Sequence, residues 1–391
     1  MKNNDSRHDH VHPCGIPAGE RRQIEPLQLK GAEQVADLID RCFAGSGFNA
    51  RRLAEACELY SRMLNDGATV ALTLSGAMTP IGMSGVIISL IESGFIDFIV
   101  STGANLYHDL HRPFDCPMFQ GHFDADDNAL AETGIARIYD VFIEDDDTLL
   151  ATDRVILDAL KSFDSERPFS TARLHYALGQ AVTATAPHAE KSFVAAAAAY
   201  DVPIYTSSPG DSSIGMNLIV PHLFQKPVNM NPVLDVIETA ALVRAAETNG
   251  VVEVGGGSPK NFYLQTQPTL YQILHDASKG GHDYFIQLTT DAPHWGGLSG
   301  ATPQEARSWG KIKDAHLNNV VVYSCASITL PLLAQYVLCR NTPRPPRRLM
   351  QSLDDSVTQL VEAARNNERL LACLDECGYP RPTRSASSAA K

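Results

Sequence analysis

The sequence predicts an α/β fold, a doubly wound, mostly parallel sheet with helices on both faces. Three observations carry that prediction. Strand, small-residue loop and helix recur at least five times along the chain. The strand runs ATVALTL, VVEV, YFIQL and NVVVY are predominantly apolar and do not alternate, the pattern of strands buried on both sides. A chain of 391 residues with 44% hydrophobic and 20% charged side chains also suffices for a large globular core. Ligands in such sheets bind beyond the carboxyl ends of the strands, so those loops are where chemistry is sought.

Taken in order, residues 49–66 place Leu53, Cys57, Leu59, Tyr60 and Leu64 at helical spacing, with Asn49 as the N-cap. The first strand, 68–74, runs into SGAMTP and an apolar helix over 81–91, with Pro80 at its start. The second strand, 95–100, is followed by STGAN and a helix beginning near Leu106, and the loop 112–131 is too short to separate domains. A strand over 203–206 precedes Asp211. VVEV (251–254) leads into GGGSPK and a helix over 261–275, YFIQL (284–288) into TTDAPHWGGLSG, and NVVVY (319–323) into SCAS and the apolar stretch 328–338. NTPRPPRR (341–348) reads as a linker. Residues 350–378 read as one long amphipathic helix, striped by Leu353, Val357, Leu360, Ala364, Leu371 and Leu374 and stopped by Gly378 and Pro380. The expected organisation is a flexible tail over 1–25, a single domain over 26–378 and a second tail over 379–391.

Lys plus Arg number 32 against 45 Asp plus Glu, a formal charge of −13. That balance disfavours nucleic acid and suits a cationic small molecule. No run of about 18 apolar residues exists, so no membrane span is expected. The start MKNNDSRHDHVHPCG lacks the apolar region of a secretory signal. Eight scattered cysteines without a CxxC pair read as free thiols in a reducing cytoplasm. His8, His10, His12 and Cys14 have no carboxylate or scaffold to complete a shell, so they are read as tail and no metal is expected.

The loops SGAMTP, STGAN and GGGSPK lack the full GxGxxG pattern, yet their small residues let backbone N–H groups approach a phosphate. Each alone is as good a packing turn; three at strand ends point to a nucleotide. The densest segment is GGLSGATPQEARSWGKIK (296–313). Thr302 as N-cap puts Glu305 at the third helical position, a capping box. Trp309 and Lys311 flank Gly310. A lysine kept from water against an aromatic wall is biased toward its neutral form and able to form an imine. The ordinary alternative is a solvated lysine.

SGATPQEARSWGKIK resembles the active-site signature of the deoxyhypusine synthase family, SGA-x-P-x-E-A-x-SWGK-I. SGAMT (75–79), STGANLYHDL (101–110), SPGDSSIG (208–215), GGGSPKNF (255–262) and this signature follow in the family's order at similar spacing. The resemblance implies a Rossmann-like NAD-binding fold and a homotetramer with active sites at subunit interfaces. It implies that NAD takes hydride from the carbon beside spermidine's secondary amine, diaminopropane leaves, and the aminobutyl fragment passes to a lysine as an imine. An acceptor amine then displaces the lysine and the retained hydride reduces the new imine. The acceptor is a lysine of translation initiation factor 5A in deoxyhypusine synthase proper, and putrescine in homospermidine synthases of the same family. By this resemblance Lys311 is the covalent lysine, Trp309 stacks on substrate, and Glu305 and Asn261 contact it. Ser75, Gly76, Ala77, Met78, Thr79, Thr102, Gly103, Ala104, Asp211 and Thr290 match NAD-contacting positions.

The chain also departs from the family's pattern. Tyr107 and His108 stand where spermidine-using members carry two glutamates, and Lys260, Asn261 and Phe262 stand for Lys-His-His. Met216 replaces an aspartate, the acidic GSDSG loop reads Gly296 to Gly300 with Leu298, and Cys325 replaces a late aspartate. His108 becomes the candidate general base. A polyamine pocket needs carboxylates to offset desolvation, so the pattern resembles the divergent "deoxyhypusine synthase-like" branch. The expectation is therefore an NAD-dependent aminoalkyl transferase of the cytoplasm acting on a polyamine or other amine. A homospermidine-type synthase and a catalytically silent NAD-binding subunit are the alternatives.

Overall fold

The computed structural model describes residues 34–381 except 165 and 315, together with 29 and 31. The stretch 1–25, with His8, His10, His12 and Cys14, and the tail beyond 381 lie outside the described residues. Six strands form one parallel sheet: β1 (Thr69–Leu74), β2 (Phe98–Ser101), β6 (Ile204–Thr206), β7 (Asn249–Val254), β8 (Tyr284–Thr289) and β9 (Asn319–Tyr323). Their order is β6-β2-β1-β7-β8-β9. The chain winds outward from β1 through β2 to β6, then returns and winds the other way from β7 to β9. The crevice where the winding reverses therefore lies between the carboxyl ends of β1 and β7, which pair from Thr69↔Asn249 to Leu74↔Val254.

Alternate strand residues feed two cores, as the pleat requires. Val70, Leu72, Leu74, Ile99, Val252, Ile286 and Leu288 pack on one face with the helices Phe48–Asn65, Ser84–Glu92 and Ala326–Arg340. Ala71, Phe98, Val100, Val251, Phe285 and Val321 pack on the other with Pro232–Ala245, Gly257–Leu264 and Leu353–Arg365. Burial on both faces is why these strands read as largely apolar runs without alternation. Among the described residues no helix is long and apolar enough to cross a membrane, and no group of three or more metal-binding side chains occurs.

Several local expectations are revised. The first long helix starts at Phe48 with Gly47 as its N-cap residue. Asn49 serves the edge strand instead, donating to the Tyr323 carbonyl at 2.5 Å and accepting its N–H at 3.1 Å. Pro80 lies in a turn, and its helix begins only at Ser84. The helix after β2 begins at Gly103, earlier than Leu106. That expected over 261–275 runs instead over Gly257–Leu264, followed by the short turns Thr266–Pro268 and Thr269–Ile273. The loop 112–131 contributes to a small antiparallel sheet, β3 (Met118–Gln120), β4 (Ile135–Ile138) and β5 (Val141–Glu144), in order β3-β5-β4. The long C-terminal helix breaks into Leu353–Arg365 and Glu368–Glu376. Asn367 caps the second and donates to the Leu274 and His275 carbonyls, so a tertiary anchor overrides a continuous apolar stripe.

The presumed linker 341–348 is an arginine strap across the amino ends of the strands. Arg344 donates to the carbonyls of Gly94 and Ala68 and to Asp97 Oδ2 at 2.8 Å, while Arg348 reaches Asp201 at 2.7 Å. Asp97 is 2% exposed and also accepts the Val70 N–H at 2.8 Å. Removing the guanidinium would leave that carboxylate buried beside only the more distant Arg347. Arg344→Leu is therefore expected to cost about 3–5 kcal/mol of folding free energy, measured by urea unfolding. A loss under about 1 kcal/mol, the range of surface pairs, would show that the strap is incidental.

Candidate active site

The site begins at the glycines after β7. Gly255 and Gly257 have φ of +75° and +56°, the left-handed region where a Cβ is strained. Between them Gly256 lies so close to Ser299 that any Cβ would collide with it. This packing docks the loop after β8, and Ser299 Oγ accepts the Gly257 N–H at 2.9 Å. The helix Gly257–Leu264 then aims Lys260 and Asn261 at different targets. Lys260 is buried, donating to Gln287 Oε1 at 2.9 Å and to the Ala301 carbonyl at 2.7 Å. Asn261 Oδ1 accepts from Lys311 Nζ at 2.9 Å.

Lys311 is fixed by its backbone. Its N–H donates to the Ala306 carbonyl at 3.0 Å, and its own carbonyl accepts the His282 N–H at 2.9 Å. The turn that allows this passes through Gly310 at φ +67°. The preceding helix Pro303–Ser308 is capped by Thr302, whose Oγ1 accepts the Glu305 N–H at 3.2 Å, the backbone half of the expected capping box. Asn261, Leu298, Glu305, Trp309 and Lys311 line one cavity of about 270 Å³. The four residues expected to handle substrate, Lys311, Trp309, Glu305 and Asn261, are thus brought together.

Lys311 is half-buried and its pKa lies below the ordinary lysine value. Burial is the main cause and repulsion from Lys260 the second, while Glu305 and Glu253 pull the other way. Contrary to what the sequence suggested, Trp309 is not the wall that keeps Lys311 from water. It is 60% exposed, and its ring centroid lies 5.9 Å from Nζ. A ring in that position attracts the ammonium, so it opposes the depression instead of causing it.

The cofactor-matching residues on the loops after β1 and β2 meet at the crevice. The Ser75 N–H donates to the Val254 carbonyl at 3.0 Å and its Oγ to the Gly256 carbonyl, tying the β1 and β7 loops together. Thr102 Oγ1 donates to the Gly76 carbonyl at 2.7 Å. Gly103 abuts Ser212, where a Cβ would collide, so the loops after β2 and β6 touch. Ala104 is half-buried in the same helix start, while Asp211 and Thr290 are exposed on the loops after β6 and β8. Sequence reasoning missed Asn105. Fully buried, it accepts the N–H groups of Met78 at 2.6 Å and Thr79 at 3.3 Å and donates to the Gly76 carbonyl at 3.2 Å. The available signal was an amide inside the STGAN turn, where a local side-chain bond holds a loop.

His108 is placed elsewhere. It lines a separate cavity of about 600 Å³ with Tyr107, Asp145, Asp153, Met216 and Asn217. Its Nδ1 lies 2.9 Å from His111 Nε2, whose Nδ1 lies 2.7 Å from Thr152 Oγ1. Burial, aided by Arg112, lowers the His108 pKa to about 4, so the imidazole is neutral at neutral pH. Tyr107 donates to Asp153 at 3.1 Å, and Asn217 to the same oxygen at 2.7 Å. Within one chain, then, His108 does not border the Lys311 cavity.

Comparison with known proteins agrees with the motifs. The family model for deoxyhypusine synthase matches residues 37–337. A "Deoxyhypusine synthase-like protein" of Nostoc punctiforme is 45% identical over 338 residues, covering 84% of this chain and 86% of that protein. A "Probable deoxyhypusine synthase 2" of Methanosarcina acetivorans is 39% identical over 310 residues, covering 79% and 88%. The crystal structure of an Entamoeba histolytica protein assigned as a deoxyhypusine synthase superposes with a TM-score of 0.53 at 16% identity, covering 82% of this chain and 99% of that one, a likeness of fold. With the SWGK signature on a doubly wound Rossmann-like sheet and relatives matched along most of their length, the chain belongs to the deoxyhypusine synthase family.

Proposed function

We propose that this protein is an NAD-dependent aminoalkyl transferase that carries its cargo on Lys311. The observation that supports this reading most is a half-buried lysine biased toward its neutral form, hydrogen-bonded to Asn261, in a cavity shared with Trp309 and Glu305. Only a neutral amine can attack carbon and later be displaced by another amine, which is the requirement for a reversible carrier. Glu305 supplies a carboxylate for a substrate ammonium, and Trp309 a face for the alkyl chain.

The crevice residues fit NAD. Ser75, Gly76 and Ala77 occupy the switch point, Gly76 has a left-handed backbone with open space where a side chain would stand, and Thr102, Gly103 and Ala104 border it. Because Asn105 already takes the Met78 and Thr79 N–H groups, those two residues would shape the loop more than touch a phosphate. Asp211 and Thr290 would meet the ribose or amide ends. NAD when bound accepts a hydride and returns it. Asp211→Ala is expected to weaken NAD about 10- to 100-fold by calorimetry, the worth of one charged hydrogen bond, with Glu305→Ala nearly silent. Equal effects would mean that the cofactor and amine subsites have been exchanged.

His108 can act on the Lys311 cavity only from a neighbouring subunit, which fits the family's homotetramer with interfacial sites. A cytoplasmic location is part of the same reading. The acceptor is an amine, either a protein lysine of the initiation factor 5A type or putrescine. The deciding experiment is product mass spectrometry with NAD and a panel of di- and triamines, with and without the initiation factor. Absence of any product from folded, NAD-binding protein would leave the silent-subunit reading.

A further inference from the structure

The Lys311 cavity does not end at Asn261. That residue and Gln265, one turn further on, also border a second chamber of about 250 Å³, and the two cavities share no other lining residue. Asn261 Oδ1 accepts from Lys311 Nζ at 2.9 Å, so the reacting nitrogen stands at the boundary between them.

The chambers differ in charge. Glu305, Lys260 and Lys311 line the first. The second is lined by Val236, Thr239, Ser258, Phe262, Thr266 and Thr269 besides the shared pair, with no ionisable side chain among them. Its threonines already have partners. Thr239 donates to the Asp235 carbonyl at 2.7 Å, Thr266 to that of Tyr263 at 2.8 Å and Thr269 to that of Gln265 at 2.9 Å. Each hydroxyl proton is thus taken by a carbonyl three or four residues back, and Val236 and Phe262 are apolar outright. The acids on the neighbouring helix are engaged elsewhere. Asp235 is buried and accepts the Thr171 N–H at 2.7 Å and hydroxyl at 2.8 Å, while Glu238 is buried 4.0 Å from Arg173. Phe262 stands where the family pattern carries a histidine, so the apolar lining belongs to this chain's own departures. An ammonium moved into the chamber would lose its hydration with no carboxylate in exchange, whereas an alkyl tail would be stabilised by leaving water.

We propose that this chamber is the second half of the amine site and takes the uncharged tail of a primary amine whose nitrogen exchanges with Lys311. The inference rests on the reading of Lys311 as the carrier. The two partners of the exchange then lie on either side of Asn261. The carried fragment, with its terminal ammonium, lies toward Glu305. The acceptor's tail lies toward Val236 and Phe262, and its neutral nitrogen attacks the carbon of the protonated imine. One proton passes from that nitrogen to Nζ of Lys311, the bond between carbon and Nζ breaks, and the fragment remains as an imine of the acceptor. The substrate class is a monoamine with a carbon-rich, neutral tail. Putrescine is disfavoured, because its second ammonium would enter the chamber that has no carboxylate.

The test compares n-pentylamine with 1,5-diaminopentane, equal in chain length and different by one terminal charge. Calorimetry at neutral pH on the full-length protein loaded with NAD should show n-pentylamine binding about tenfold tighter or more. Two substitutions at Val236, which is 38% exposed and so outside the core, locate the tail. Val236→Trp fills the chamber and should weaken n-pentylamine by about tenfold or more. Val236→Asp supplies the missing carboxylate and should reverse the preference toward the diamine. Equal or tighter binding of the diamine by the native protein overturns the proposal, and so does n-pentylamine binding that Val236→Trp leaves unchanged. If Val236→Trp does not fold, Val236→Asp decides, and an unaltered preference there removes the chamber from the site. Borohydride trapping addresses the carrier role separately. A fragment trapped on Lys311 without any preference for the monoamine would sink the chamber and keep the carrier, and tail-selective binding beside a lysine that traps nothing would do the reverse.

Discussion

Lys311→Arg is expected to lower aminoalkyl transfer by about a thousandfold or more, the usual scale for losing a covalent nucleophile, while NAD binds nearly as before. The guanidinium keeps the positive charge and can still donate to Asn261, but it does not deprotonate in proteins. The loss therefore isolates the need for a neutral amine from the need for a cation. Incubation of the native protein with NAD and its true donor, followed by borohydride, should trap a fragment on Lys311 alone. Two internal controls are well placed. Lys260 is buried against Gln287 and Ala301, and Lys313 is exposed in an ion pair with Asp283 at 2.5 Å. The pH dependence follows from the lowered pKa of Lys311. The single-turnover rate of imine formation should climb as pH rises through that value and level off below the pH at which an ordinary lysine would. Normal turnover by Lys311→Arg would end the covalent mechanism for this protein.

Much of this arrangement is legible in the chain because it obeys local rules. Strands buried on both faces are mostly apolar, so β1, β7, β8 and β9 announce themselves, and the glycine-rich loops behind them mark the carboxyl edge. Lys311, Trp309, Glu305 and Asn261 meet because the first three lie on one helix and turn, and the glycines at 255–257 bring the fourth across. What local rules conceal is side chains with distant partners. Asn49 has the composition of a helix cap, yet it bonds to Tyr323, 274 residues away. Asn367 interrupts a helix whose stripe continues unbroken, and the arginines of 341–348 look like a solvated linker until Asp97 and Asp201 are seen beneath them. Asn105 and Glu253 are polar residues where burial alone predicts apolar ones; the loop after β1, whose N–H groups it takes, explains the first. His108 is the opposite case, since its chemistry suits a base but one chain's geometry sets it beside Asp153 and His111, away from Lys311.

Spermidine should be a poor ligand, with affinity lower by about two to three orders of magnitude than a pocket with two further carboxylates would provide. A carboxylate–ammonium hydrogen bond contributes about 1.5–3 kcal/mol, so losing two suffices. The cavity makes the deficit concrete. Of its lining residues Glu305 is acidic, Lys260 and Lys311 are basic, and Leu298 presents an apolar side chain where the family pattern is acidic. A triamine entering there must desolvate its charges against two lysines with one carboxylate in compensation. Tyr107 does not restore the balance, because its hydroxyl is committed to Asp153 and the Leu149 carbonyl in the other cavity. Leu298→Asp should recover part of the affinity, about tenfold or more for one added contact, if the loop holds the new carboxylate toward the bound amine. Calorimetry of spermidine with the NAD-loaded native protein and with this variant measures both values. Micromolar spermidine binding by the native chain would show that carboxylates from elsewhere, Asp145 and Asp153 foremost, enter the pocket in the assembled protein, and the amine specificity would then follow that of spermidine-using members.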